Sequence, residues 1–88
     1  MISTEQINAI AAEIETLGVA ETTVLTLRQQ HQPIHFTYCM DDDLPNNTPV
    51  IAREDFNLYL IDGREHCLCL TNDYEVATGI VVAEIIAD

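Results

Sequence analysis

The chain contains no lysine and no tryptophan, and three arginines stand against fifteen aspartates and glutamates. Nucleic-acid binding is driven by Lys and Arg neutralising phosphates, so a chain of formal net charge -12 is repelled by DNA, RNA and anionic membranes. No apolar run approaches the roughly 18 residues of a membrane helix. The N-terminal MISTEQ lacks the basic-then-apolar pattern of a secretory signal, so a cytoplasmic setting with reduced thiols is expected. Three cysteines are an odd number and argue against a closed disulfide framework. The partners left open are basic protein surfaces or cations; the plainer use of the acids is solubility.

What is present reads as one domain spanning residues 1–88. Hydrophobic residues make up 48%, enough for a compact core in a chain of this length. In ISTEQINAIAAEIETLG, Ser3 caps a helix, Gln6 completes a capping box, and Ile2 and Ile7 occupy the positions of a hydrophobic staple. Ile7, Ile10, Ala11, Ile14 and Leu17 form its apolar stripe, and Gly18 stops it. A shorter helix is predicted over about residues 21–30, with Val24 and Leu27 inward, Arg28 near the negative end of its dipole and Pro33 preventing continuation. The pair resembles a helix-turn-helix in outline only, because the second helix offers one arginine to a phosphate backbone.

IHFTYC, residues 34–39, is β-branched and aromatic and reads as a strand with Ile34, Phe36 and Tyr38 facing the core. MDDDLPNNTPV reads as a loop. Two alternating runs flank Asp62-Gly63, predicting a hairpin over 56–70 in which Phe56, Leu58 and Leu60 share the apolar face with Cys67 and Cys69. The last segment begins with a capping box, Asn72 to Glu75, and carries Val76, Ala77, Ile80, Val81 and Ile85 at helical spacing; its β-branched run and Gly79 leave a strand at 79–86 as the alternative. The expected fold is α+β, in the order α-α-β-β-β-α, with an antiparallel three-stranded sheet packed on helices.

His35, Cys39, Cys67 and Cys69 are the candidate metal ligands. To gather them, the first strand would have to turn Ile34, Phe36 and Tyr38 outward, at roughly 1.5–3 kcal/mol for each large side chain. Cys67 and Cys69 are two apart on a strand, whereas structural zinc sites usually place their cysteines on a turn. Reduced core cysteines are the simpler reading, and no cofactor is expected. Asp41, Asp42 and Asp43 are adjacent rather than alternating as in calcium loops, so a solvated run is expected. Cys with His suggests nucleophilic chemistry, but no third orienting group is identifiable, and the chain is not read as an enzyme.

The strings HFTYCMDDD (35–43), FNLYLIDG (56–63) and HCLCLTND (66–73), in this order, resemble a family of small uncharacterised bacterial proteins, a domain of unknown function found beside nitrogen-fixation genes. The resemblance covers about residues 34–86. It brings no catalytic residue or cofactor and implies an accessory role around nitrogenase or its electron donors. The expected function is that of a non-enzymatic acidic protein docking on a basic protein surface through Asp41, Asp42 and Asp43 with Tyr59, Ile61, His66 and Leu68 of the mixed sheet face. The alternative is a metal or iron–sulfur handling protein using Cys39, Cys67 and Cys69.

Overall fold

A computed structural model describes residues 1–64 and 69–86. Helix α1 runs Thr4–Leu17 and α2 runs Glu21–Gln30; five strands follow, β1 His35–Met40, β2 Ile51–Ala52, β3 Phe56–Asp62, β4 Cys69–Thr71 and β5 Gly79–Glu84, with a single 3-10 turn, Asp41–Asp43, after β1. The fold is α+β.

Both helices form where the sequence places them. The Ser3 hydroxyl accepts from the Gln6 amide at 3.0 Å, satisfying one of the unpaired donors of the first turn. Ile2 and Ile7 are both buried, as a hydrophobic staple requires. Gly18 takes a positive φ of 90° and its amide returns to the Ile14 carbonyl at 2.7 Å, ending α1. Ile10, Ala11 and Ile14 of α1 and Val24 and Leu27 of α2 then cover one face of the sheet, meeting Phe36, Phe56, Leu58, Leu60, Ile80 and Val82.

The sheet departs from the expected one in its last element. The C-terminal segment is strand β5, not a helix, so the predicted order α-α-β-β-β-α and the all-antiparallel three-stranded sheet are both corrected. The strand order is β1-β5-β3-β2, with β4 also on β3. Strand β5 is central: it runs parallel to β1 (His35↔Gly79 to Met40↔Glu84) and antiparallel to β3 (Phe56↔Glu84 to Ile61↔Gly79). The predicted capping box yields a turn. Thr71 Oγ1 accepts from the Asp73 amide, Asp73 Oδ1 accepts from the Glu75 amide, and the Asn72 amide group donates to the Thr48 carbonyl. Such local side-chain bonds compete with helix formation. The β-branched run then extends with Ile80 and Val82 on the helix side and Val81 and Ala83 on the other, all buried. Gly79 is needed at the start of β5, because a Cβ there would lie 2.8 Å from the His35 carbonyl oxygen.

The predicted hairpin is present but longer in its connection. Strand β3 carries two short partners on one edge, β2 beside Leu58 and Asn57, and β4 beside Leu60, Ile61 and Asp62. Cys69 stands opposite Asp62, so Asp62-Gly63 is not a two-residue turn. The predicted parity holds, with Cys69 on the Leu58 and Leu60 side. Cys69 is nevertheless exposed, because it sits at the strand end past Leu60. Its assignment to the core is corrected, and Cys67 lies outside the described residues.

Candidate functional site

The sheet face away from the helices is closed by the turn that follows β1. Val81 and Ala83 of β5 and Tyr59 and Ile61 of β3 form a second buried cluster, with Cys39, Leu44 and Leu70 packed at its margin. Asp41 fixes the turn over this cluster. Its Oδ1 accepts from the Tyr59 hydroxyl and from the Asn57 side-chain amide, each at 2.9 Å. The Leu44 amide donates back to the Asp41 carbonyl at 3.0 Å, closing the 3-10 turn. Asp42 and Asp43 then point outward and are exposed.

This arrangement divides the expected interaction residues. Tyr59 is 3% exposed and Ile61 6% exposed, so neither is available as a contact anchor. They were expected on an open mixed face; Asp41 and Leu44 cover that face instead. Of the three acids, Asp41 is structural and Asp42 and Asp43 face solvent. His66 and Leu68 lie outside the described residues.

The turn also sets the chemistry of its neighbours. Burial raises the Tyr59 phenol pKa, and the hydrogen bond to the Asp41 carboxylate adds to the shift. Burial likewise pushes up the Cys39 thiol, reinforced by the charges of Asp43 and Asp41. Its thiolate, the nucleophilic and metal-binding form, is thereby disfavoured. On the helix side of the sheet, Tyr38 of β1 donates to Glu84 Oε1, and this bond, ahead of burial, raises the phenol to about 12.

Among the described residues the metal alternative is not assembled, and Cys67 lies outside them. Cys39 lies on β1 and Cys69 on β4, with β5 and β3 between them, about 14 Å at the usual strand spacing. They also face opposite sides of the sheet. His35 and Cys39 are four residues apart along one strand, about 13 Å. No single ion can bind His35, Cys39 and Cys69 together, and among the described residues no group of three or more His, Cys, Asp or Glu side chains converges.

The arginines are held within the chain. Arg53 pairs with Glu15 at 2.8 Å and Arg64 with Asp62 at 2.9 Å, the latter pair holding the Asp62 carboxyl below its ordinary pKa. Arg64 donates from Nε and Nη2 to the two Asp62 carboxylate oxygens. Arg28 donates from Nε and Nη2 to the Phe36 carbonyl at 3.1 and 3.0 Å, tying α2 to the outer edge of β1.

Asn57, Glu84 and Arg28 carry no sequence signal of these roles, because each acts through a partner set by the fold. No helix of the described residues is long and apolar enough to cross a membrane. Neither a curated protein nor a solved structure matches the chain. A family model does match, over residues 9–85, and the chain belongs to that family of unknown function, DUF6129.

Proposed function

We propose that the chain is a non-catalytic accessory protein of the cytoplasm that docks on a basic protein surface, in the nitrogen-fixation setting its sequence resemblance implies. The observation that carries this reading is the anchored acidic turn. Asp41 is tied to Tyr59 and Asn57, and this holds Asp42 and Asp43 in one exposed position on a rigid sheet. Charges held in place complement a basic patch without being ordered at the moment of binding. Arg53 and Arg64 are paired with Glu15 and Asp62, and the remaining surface acids dominate the field around the protein.

The test is affinity capture from the native host under fixing and non-fixing conditions, followed by binding kinetics with the captured partner. The association rate should fall as salt rises, since the Debye length shrinks from about 10 Å at 0.1 M to about 3 Å at 1 M. Asp42→Asn with Asp43→Asn should slow association about tenfold and leave dissociation nearly unchanged. Asp41 is kept, because it holds the turn. Binding indifferent to both salt and the double substitution would sink the reading.

A further inference from the structure

The acids are not spread evenly over the concave surface. Three of the clefts carry carboxylates: Glu15, Glu54 and Asp55 line one, Glu13 a second and Glu21 a third. Another, of about 750 Å³, has none among its described lining residues and carries His35 and Arg28, the latter shared with the Glu21 cleft. In a chain of net charge -12, a cleft with no described carboxylate in its lining repels an anion less than the acid-lined ones do.

The cleft lies at the start of β1, between the end of α2 and the sheet. Pro33 and Ile34 are its accessible apolar residues; Phe36 and Ile61 border it but are almost wholly buried. Its volume and its pattern of apolar surface with few polar groups are those of small-molecule sites. Arg28 supplies the charge. Its guanidinium bonds the Phe36 carbonyl oxygen, and among the described residues no Asp or Glu oxygen pairs with it. A guanidinium has five N–H donors; Nε and Nη2 each place one on Phe36, and the remainder can receive a carboxylate. The bonds to Phe36 also fix the orientation of the guanidinium plane at the rim.

We propose that this cleft binds a small carboxylate with an apolar body, the carboxylate on Arg28 and the body against Pro33 and Ile34. The site is separate from the acidic turn and does not depend on the docking reading.

The test is an NMR titration of the ¹⁵N-labelled protein with 4-phenylbutyrate, using 4-phenylbutanamide as the neutral twin. The acid should give saturable shifts at the Arg28 Nε–H and at the amides of His35, Thr37 and Gly63. The amide twin should bind at least about tenfold more weakly, and Arg28→Gln should lower affinity for the acid by a similar factor. Because Arg28 also ties α2 to β1, a second variant places a carboxylate in the wall at an exposed position. Thr37→Glu should abolish binding of the acid while the circular dichroism spectrum stays unchanged. Equal binding of acid and amide, undiminished binding of the acid to folded Thr37→Glu, or no saturation by about 10 mM acid would overturn the proposal.

Discussion

The two faces of the sheet are both closed, by different physics. One is covered by α1 and α2, whose isoleucines, leucine and valine meet Leu58, Leu60, Ile80 and Val82 in a continuous apolar core. The other buries Tyr59, Ile61, Val81 and Ala83, closed in part by a short turn held by one carboxylate accepting two hydrogen bonds. The first cover is non-directional and scales with area; the second is directional and depends on Asp41 being in place. Strand β5 belongs to both, so a fault in it is felt on each side.

The comparison can be broken most forcefully on the helix face. Leu60→Ala should cost about 3–5 kcal/mol, because a fully buried side chain leaves a cavity that the helices fill only partly. Val81→Ala, on the other face, should cost about 1–2 kcal/mol, since less volume is lost and the cover is a loop that can settle. Urea unfolding measures both, and equal costs would show that the loop face is packed as rigidly as the helix face.

Asp41→Ala is the next in size, at about 1–3 kcal/mol, because it leaves the Tyr59 hydroxyl and Asn57 amide without their acceptor. Asp42→Ala and Asp43→Ala should each stay within about 0.5 kcal/mol. A double-mutant cycle of Asp41→Ala with Tyr59→Phe should return a coupling of about 1 kcal/mol. Additive costs would remove the polar bond as the fastening of this face.

Thiol labelling gives a smaller contrast. Exposed Cys69 should react several-fold faster than Cys39, whose thiol is half-buried and raised in pKa by burial and by Asp43 and Asp41. Unfolding should bring the two rates together, and a faster Cys39 in the folded protein would contradict the placement of β1.

The smallest effect is at Tyr38. A phenol whose pKa is higher in the fold than in the unfolded chain keeps its proton longer when folded. Its stabilisation is therefore full below about 10 and is lost as pH rises through about 12. Ultraviolet titration should find one tyrosine near 12, and Glu84→Gln should move it back toward the ordinary range.

Legibility in the sequence followed the locality of each signal. Helix α1 was readable because Ser3, Ile7, Ile10, Ile14 and Gly18 state it within one segment. Phe36 and Leu58 were placed correctly by alternation on strands with one apolar face. Strand β5 was missed as the leading reading because it is buried on both faces, so Ile80-Val81-Val82-Ala83 shows no alternation and also satisfies a helical stripe. Its parallel partner β1 lies some forty residues earlier, a pairing that no short-range pattern encodes. Two-residue β2 exists only because β3 offers it an edge. At the site, the acidic run was visible, but the inward turn of Asp41 was not, because Tyr59 and Asn57 are its partners only after β3 is in place. That hidden pairing also turned the expected open face into a closed one.

One bond described above bears on how copies of this protein behave together. Strand β1 pairs with β5 on one side and, among the described residues, has no strand on the other. An open strand edge is a template for intermolecular cross-β growth. Two safeguards act here: the high negative charge repels a second copy, and Arg28 occupies the Phe36 carbonyl near the start of that edge. Acidification toward the isoelectric point near 4.2 removes the first safeguard and leaves the second, because a guanidinium does not titrate there. Loss of Arg28 should therefore show as faster fibril formation in acidic solution, where the charge no longer guards that edge.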